Sequence, residues 1–239
     1  MVAKTDQKAR LFDLWGSVVE LVRGDKRDAE SVAKVLQVIK DEQDFERQLF
    51  PTLAVSADTK PPLKTWQKFY QEVWGIKKDF SNLAILAQPP SFNRLLVMLE
   101  GMTAKKIVEK MREQMSVCVY DEAELDRVVS DREPVKDYAI WLRDRVEADE
   151  ELANKSADDL KKKRINCITL PERLLLGLFL YWKDKQHLDH NNRTLCAGSR
   201  GSGGYVPNVF WLALDGRVFV DWLCAGYRFS ILRSRQAVS

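Results

Sequence analysis

The sequence has few of the residues that build metal centres or disulfide frameworks. Its 239 residues include only four cysteines and two histidines. None of the cysteines has the C-x-x-C spacing of a zinc site or a redox motif, because they lie far apart at Cys118, Cys167, Cys196 and Cys224. Unpaired cysteine is most often a buried free thiol. We therefore predict four free thiols, no metal and no cofactor.

A long hydrophobic run is also missing. The most apolar stretch, residues 174–182, is nine residues long, whereas a membrane-spanning helix needs about 20. The first ten residues are charged and do not contain the apolar core of a secretory signal. These absences predict a soluble, cytoplasmic protein.

Neither sign of charge is in clear excess. The chain has 38 Lys and Arg against 35 Asp and Glu, with a formal net charge of +3. This near balance argues against a dedicated nucleic-acid binder. Hydrophobic residues make up 45% of the chain and aromatic residues 10%, so the chain can bury a core and is not of the disordered class.

The first fifty residues have the apolar spacing of two helices. One stripe begins at Leu11 and ends before Gly24, and a second begins near Val32. Residues 1–50 are therefore predicted to form a helical hairpin, which must pack on the rest of the protein or bind a partner to cover its apolar faces. Residues 51–64 contain three prolines and are predicted to be a linker.

Residues 65–239 are predicted to form an α+β body, a mixed α/β unit. Aromatic residues from Trp66 to Trp74 have helical spacing and indicate a core helix rather than a stacking platform. Segment 92–120 is predicted to be a βαβ-like unit with Thr103 as helix cap and two parallel strands in one sheet. A further helix is expected over 121–130, and a strand over 138–143.

Capping and turn signals organise the remainder of the body. Ser156 with Asp159 resembles a capping box, and Thr169 with Glu172 matches one. Residues 193–239 are predicted to form a C-terminal antiparallel β-hairpin unit, with Asp-Gly at 215–216 in a type I′ turn. The fold class predicted for the whole chain is thus α+β.

An acidic run is the first candidate for chemistry. Asp144, Glu147 and Asp149 lie beside Arg145, and a helix here would place Asp144, Glu147 and Glu151 on one face. Such carboxylates could hold a divalent cation or transfer protons. The alternative is a solvated helix with local ion pairs, which is the more common meaning of a charge run.

A Gly/Ser-rich loop at 197–204 is the second candidate. Successive backbone N–H groups there could form an anion site together with Ser199, Arg200 and Ser202. The loop matches neither the phosphate-binding nor the dinucleotide-binding glycine pattern. A plain connection between strands is the alternative, since glycine is the usual residue of irregular backbone.

Two further groups allow both a functional and a structural interpretation. The basic run Lys161, Lys162, Lys163 and Arg164 suggests a nucleic-acid patch, although cations at a helix end also complement the helix dipole. His187 and His190 have the spacing of two ligands on one helix, but no third ligand accompanies them. They are predicted to be helix-end histidines.

Several segments together resemble a family of hypothetical proteins from uncultivated bacteria. The likeness covers almost the whole chain and is carried by segments 12–16, 27–36, 138–151, 194–200 and 232–239. It implies a bacterial, cytoplasmic setting and a complete protein, and it assigns no activity, cofactor, partner or functional residue. In that family His187-Leu188-Asp189 belongs to the pattern and a histidine at 190 does not, which weakens the two-histidine metal site.

These features favour a non-enzymatic binding or adaptor protein. Its N-terminal helices are expected to dock a protein partner, with nucleic acid near 161–164 as the weaker candidate. The alternative is an enzyme acting on a phosphorylated or nucleic-acid substrate, with Asp144, Glu147 and Asp149 as acidic centre and loop 198–204 as anion cradle. That alternative requires the two segments to meet in space.

Overall fold

The computed structural model describes residues 63–239 and Gly24. Residues 60–239 belong to one compact unit. The helical hairpin predicted for residues 1–50 and nearly all of the linker predicted for 51–64 lie outside the described residues. Within 63–239, helices combine with a mixed sheet, so the α+β class is confirmed for this part of the chain.

Four α-helices and three 3₁₀ turns lie in the described chain. The α-helices are α1 Leu63–Trp74, α2 Ala104–Arg112, α3 Ala157–Lys162 and α4 Leu170–Asp184. The 3₁₀ turns are Glu122–Asp126, Glu150–Leu152 and Ser202–Gly204.

Nine strands form three sheets in the same residues. The strands are β1 Arg94–Met98, β2 Val117–Val119, β3 Val129–Ser130, β4 Tyr138–Leu142, β5 Arg193–Leu195, β6 Ser199–Arg200, β7 Val206–Leu212, β8 Arg217–Leu223 and β9 Leu232–Arg233. The main sheet has the order β2-β8-β7-β5-β9, while β1 pairs with β4 and β3 with β6. Its two outer pairs, β2–β8 and β5–β9, are parallel, and its inner pairs are antiparallel.

The predicted helix caps are present. Thr103 accepts a hydrogen bond from the backbone N–H of Lys106 at the start of α2. Ser156 caps α3 and Thr169 caps α4, each in a reciprocal capping box with Asp159 or Glu172. These short-range contacts explain why the helices begin where the sequence indicates.

Helix α1 lies in the main core. Trp66 stacks on Phe179 of α4 with ring centroids 4.0 Å apart, and its indole N–H donates to the carbonyl of Leu95 in β1. The hydroxyl of Tyr70 donates to Val97 O at 2.7 Å. The aromatic face of α1 is thus core, as predicted. Trp66 and Tyr70 have hydrogen-bond partners, whereas the buried indole N–H of Trp74 has none within residues 63–239.

The βαβ-like prediction for 92–120 is wrong in its pairing. Strand, helix and strand follow in the predicted order, but β1 pairs antiparallel with β4, and β2 joins β8 in the main sheet. Strands β4 and β1 are equally long and pair along their whole length. Strand β4 therefore supplies hydrogen-bond partners to the backbone of β1, although the paired residues Leu96 and Ile140 are 44 positions apart. The alternation of apolar residues does not reveal that choice of partner.

The helix predicted over 121–130 is also absent. A 3₁₀ turn over Glu122–Asp126, begun by the Asp121 side chain on Ala123 N, gives way to β3. Strand β3 pairs with β6, with Ser130 opposite Ser199. Tertiary pairing therefore replaces local helix formation here.

The C-terminal unit is antiparallel only in part. Strands β5, β7 and β8 pair antiparallel as predicted, but β9 runs parallel to β5. In the hairpin Leu212 pairs with Arg217, so residues 213–216 form the connection. Gly216 has a positive φ and Asp215 does not, which excludes a type I′ turn, because that turn needs positive φ at both central residues.

Candidate functional site

A cleft of about 730 Å³ lies between segment 78–86 and the start of β4. Its lining is mainly apolar, with Phe80, Leu83, Ile85, Leu86, Tyr138 and Ala139 among its residues. Lys78 and Asp137 form an ion pair there. A mainly apolar concavity of this volume is typical of a binding site.

Two buried aromatic residues hold the segment that forms one wall. Phe80 is buried with its ring 6.2 Å from that of Tyr70 in α1. The indole N–H of Trp141 in β4 donates to the carbonyl of Leu86 at 2.9 Å. Segment 78–86 has no regular secondary structure, so these anchors position it.

The cleft contains an open stretch of strand edge at Ala139. Trp141 exchanges two hydrogen bonds with Val238 (2.8 and 3.0 Å), so its backbone groups point away from β1. Strand geometry repeats every two residues, and the backbone groups of Ala139 therefore point the same way. No residue of the described 63–239 segment hydrogen-bonds to them.

The acidic run is not a helix. Residues 143–149 are irregular and lead into the 3₁₀ turn Glu150–Leu152, so Asp144, Glu147 and Glu151 do not form one helical face. Asp144 pairs with Arg94, while Arg145 pairs with Glu151 at 2.7 and 2.9 Å. The Arg145 guanidinium lowers the pKa of Glu151 to about 2.

Glu147 and Asp149 join distant parts of the fold. Glu147 accepts hydrogen bonds from the backbone N–H groups of His190 and Asn191 at 3.1 Å. Asp149 is buried and accepts from Arg143 at 2.6 Å and from Gln236 N at 2.8 Å. These carboxylates act as structural cross-links.

The Gly/Ser loop is occupied by groups of the protein itself. The hydroxyl of Ser199 is buried, lies 2.8 Å from that of Ser130 and accepts from Leu170 N. Arg200 donates to two carbonyls within its own loop. Ser202 donates its backbone N–H (2.7 Å) and its hydroxyl to the carboxylate of Glu124.

Glu124 is therefore the anion that this loop holds. The side-chain hydrogen bond from Ser202 is the main reason why the pKa of Glu124 is lowered, and burial opposes it. Arg127 lies 3.5 Å from the same carboxylate and adds a favourable charge. An external phosphate at Ser202 would have to displace this carboxylate.

Close packing explains two of the glycines in the loop. A Cβ at Gly198 would lie 2.6 Å from the carbonyl oxygen of Cys167. A Cβ at Gly201 would overlap the Glu124 carboxylate and lie 3.0 Å from the ring of Trp222. Neither has a positive φ, so space rather than backbone conformation requires glycine here.

Two extended segments separate the acidic run from the loop. Asp149 bonds to Gln236, Gln236 bridges to Cys167, and the neighbouring Ile168 accepts from Gly198 N. Within residues 63–239, no hydrogen bond or ion pair joins Asp144, Glu147 or Asp149 to Ser199, Arg200 or Ser202. The structure thus does not bring the two predicted halves of an active site into contact.

The four basic residues lie at the end of α3. Lys161, Lys162, Lys163 and Arg164 are all exposed, and none forms an ion pair within the described part of the chain. Lys161 and Lys162 lie in the last turn of the helix. Their exposure fits both the nucleic-acid patch and the helix-dipole interpretation.

The two histidines do not converge on a metal. His187 stacks on Trp211 with centroids 3.5 Å apart, and His190 uses its ring Nε2 against the carbonyl of His187. Burial, reinforced by nearby His190 and Arg173, lowers the pKa of His187 to about 4. Within 63–239, no three His, Cys, Asp or Glu side chains are grouped to hold a metal ion.

The cysteines are free thiols in two kinds of environment. Cys167 and Cys196 are buried, whereas Cys118 is half-buried and Cys224 is exposed, so the prediction of burial holds for two of the four. Burial raises the pKa of Cys167 to about 11 and that of Cys196 further. Both buried thiols are therefore protonated and not nucleophilic at neutral pH.

A fully buried charge cluster surrounds Asp189, and it was not predicted from the sequence. The carboxylate accepts from Arg173 at 2.8 and 3.0 Å, from Arg235 at 2.7 Å and from the hydroxyl of Thr194. Burial opposes its ionisation, but the charges of Arg235 and Arg173 keep the pKa of Asp189 below its usual value. No local spacing signals this cluster, since Arg235 is 46 positions from Asp189.

Comparison with known proteins adds no relationship. No family model matches the chain, and neither a curated protein nor a solved structure matches it. The resemblance to bacterial hypothetical proteins stays a prediction. In the described part of the chain, no helix has the length and apolar character required to cross a membrane.

We predict that Gly201→Ala destabilises the protein by about 1–3 kcal/mol, because the new methyl group would overpack against Glu124 and Trp222. Urea unfolding measures the change. Gly226→Ala is the matched control, since a Cβ there meets only Asp158 Oδ2 at an ordinary 3.6 Å. Equal stability of the two variants would contradict the close packing of the loop.

We predict that the stability contributed by neutral His187 is lost as the pH falls from about 6.5 to 4, because the pKa of His187 is lowered in the folded state and the unfolded chain binds the proton first. His187→Phe removes this contribution. The difference in unfolding free energy between the two proteins should therefore change over that pH range. NMR titration of the His187 ring checks it directly, and an ordinary midpoint near 6.5 would refute it.

Proposed function

We propose that the protein is a non-enzymatic binding protein that holds an extended, apolar segment of a partner protein in the cleft between residues 78–86 and β4. The observation that carries this proposal is the combination of an apolar cleft with the strand edge of Ala139, whose outward backbone groups have no hydrogen-bond partner among residues 63–239. Apolar walls supply affinity, and a few polar groups fix the orientation of a ligand.

The backbone of Ala139 favours a peptide over a compact small molecule. Its N–H and C=O point outward from a strand, and an extended peptide pairs with such an edge by strand addition. Val238 already pairs with the same edge at Trp141. The edge therefore accepts an extended chain in this fold.

The charges around the cleft favour an uncharged ligand. Lys78 is neutralised by Asp137, and Asp79 accepts hydrogen bonds from Ser81. Lys136 adds one cation to this set. A phosphorylated ligand would need clustered cations or a nest of N–H groups, which these residues do not supply.

The enzymatic alternative has less support. Each of its acidic candidates is engaged in a structural contact, and its loop holds Glu124. General acid–base catalysis requires a group within hydrogen-bond reach of substrate. Asp149 is buried and serves Arg143 and Gln236, so this role is closed to it.

We predict that Leu86→Asp weakens peptide binding at least about tenfold, because it places a charge in the apolar wall. The side chain of Leu86 is 54% exposed, so the core is not disturbed. The measurement uses the full chain to select peptides from a displayed random library and then compares their dissociation constants for each variant. Leu214→Asp is the matched control, since Leu214 is 95% exposed in the loop between β7 and β8 and does not line the cleft.

Ala139→Pro makes the experiment specific for strand pairing. Proline removes the outward N–H at this position, while by the alternation of the strand the hydrogen bonds between β1 and β4 use the neighbouring residues. Selected peptides should be apolar and should lose affinity for this variant as well. If the selected peptides bind Leu86→Asp and Ala139→Pro with the same affinity as the unchanged protein, the cleft is not the binding site.

The predicted docking of a partner by residues 1–50 is a second part of the proposal. It is supported by the apolar stripes of that segment and by the compact unit that residues 60–239 form. A docking element attached to an independent body can be removed without unfolding that body.

We therefore predict that residues 60–239 produced alone stay soluble, unfold cooperatively and keep the peptide affinity of the full chain. Thermal unfolding followed by near-UV circular dichroism, and the peptide measurement above, check this. Aggregation or loss of the near-UV signal would show that residues 1–59 complete the core, and docking through them would then be abandoned.

A further inference from the structure

Within residues 63–239, strand β2 leaves one edge of the main sheet without a hydrogen-bonded partner strand. It pairs with β8 through Ser116, Cys118 and Tyr120, as the bonds from Val218 N to Ser116 O and from Tyr120 N to Val220 O indicate. The backbone groups of Val117 and Val119 point outward by strand alternation. Within residues 63–239 these two N–H and two C=O groups have no hydrogen-bond partner.

The opposite edge of the sheet is closed by the chain itself. Asn154 N donates to Leu232 O at 3.0 Å, and Asp149 N donates to Ser234 O at the same distance. Segment 149–154 therefore occupies the outer side of β9. In the part of the chain that the structure describes, the β9 edge is therefore covered and the outward backbone groups of β2 are not.

The β2 edge is short, with three residues, and its sequence offers no chemical safeguard against pairing. Residues 115–120 are Met-Ser-Val-Cys-Val-Tyr, with no charge, no proline and no glycine. Val and Tyr favour strands. Natural edge strands are normally blunted by charge, proline or a bulge. Tyr120 at the end of the segment is 70% exposed, which adds an apolar contact surface beside the open edge.

We propose that a second copy of this chain pairs antiparallel with β2, joining two main sheets across a two-fold axis at Cys118. Val117 would exchange two hydrogen bonds with Val119 of the second copy, and Val119 two with its Val117. This register uses every outward backbone group on both strands. No other centre of symmetry on this strand does so, because the open groups are placed evenly on either side of Cys118.

The same register fixes the neighbours on the outer face of the sheet. Cys118 would face Cys118 of the second copy in a non-hydrogen-bonded pair, with Cα atoms about 4.5 Å apart. Tyr120 would lie opposite Ser116 of the second copy. Residues 115–120 carry no charge, so this register places no like charges opposite each other and the strand can pair with itself.

The contact is small, and this sets its expected strength. Three paired residues on each side bury less than the roughly 1,200–2,000 Å² of a stable interface. We expect a reversible dimer with a dissociation constant on the order of 10 µM, rather than an obligate one.

Disulfide trapping tests the register. In the full chain carrying Cys224→Ser, the two facing Cys118 thiols lose two hydrogens to added diamide and form one disulfide, while diamide is reduced to its hydrazine. Paired Cα atoms at this separation allow the bond. Cys167 and Cys196 are buried and unreactive. Rapid formation of a covalent dimer is expected, and adding Cys118→Ser should abolish it.

Sedimentation of unoxidised protein tests the association itself. Cys118→Ser should retain a concentration-dependent dimer, because the backbone bonds remain. Cys118→Lys should be monomeric, since two like charges would lie directly opposite each other, while Cys224→Lys, the matched control, should dimerise normally. Circular dichroism confirms that each variant is folded.

Three results would overturn the proposal. One is a chain that stays monomeric well above the expected dissociation constant. Another is a dimer that Cys118→Lys does not weaken, because such a dimer uses another surface. The third is a folded dimer whose Cys118 thiols form the disulfide no faster than they do in protein diluted until it is monomeric.

Discussion

The fold depends on the ionised carboxylate of Asp189, which has no access to solvent. Arg173 brings helix α4 to it, Arg235 brings the C-terminal segment, and Thr194 brings strand β5. Arg235 also donates to the carbonyls of residues 145 and 146, so the irregular acidic run is tied to the same point. Removing one partner from such a cluster leaves a buried charge uncompensated, which costs about 3–5 kcal/mol.

Other acids repeat this arrangement. Glu172 accepts from Arg132, Tyr138 and its own capping-box N–H, Asp149 from Arg143 and Gln236, and Glu124 from Ser202. Irregular connections cannot satisfy their own backbone, so they take hydrogen bonds from side chains. The carboxylates that resemble catalytic groups in the sequence are therefore used for structure, and the proposed binding sites instead use apolar surface and backbone edges without hydrogen-bond partners in residues 63–239.

The features that the sequence predicted correctly depend on residues close together in the chain. Capping boxes at Ser156 and Thr169, the aromatic face of α1 and the β7–β8 pair all follow from spacings of two to four residues. Strand partners and the Asp189 cluster do not, because their members are tens of residues apart and many pairings would satisfy the same alternation. The cleft escaped prediction for the same reason: its two walls, 78–86 and 136–139, carry no motif of their own.

The cleft and the edge of β2 differ in what binding would cost. Phe80 and Trp141 already fix the wall of the cleft, so a peptide would order mainly itself, and affinity would be limited by the apolar contacts it makes. At β2 both strands are already ordered, which lowers the entropic cost, but few side chains meet and the backbone bonds only replace bonds to water. The proposed peptide site would therefore select a sequence, whereas the proposed contact at β2 would recognise any uncharged strand of matching register, which an identical strand always provides.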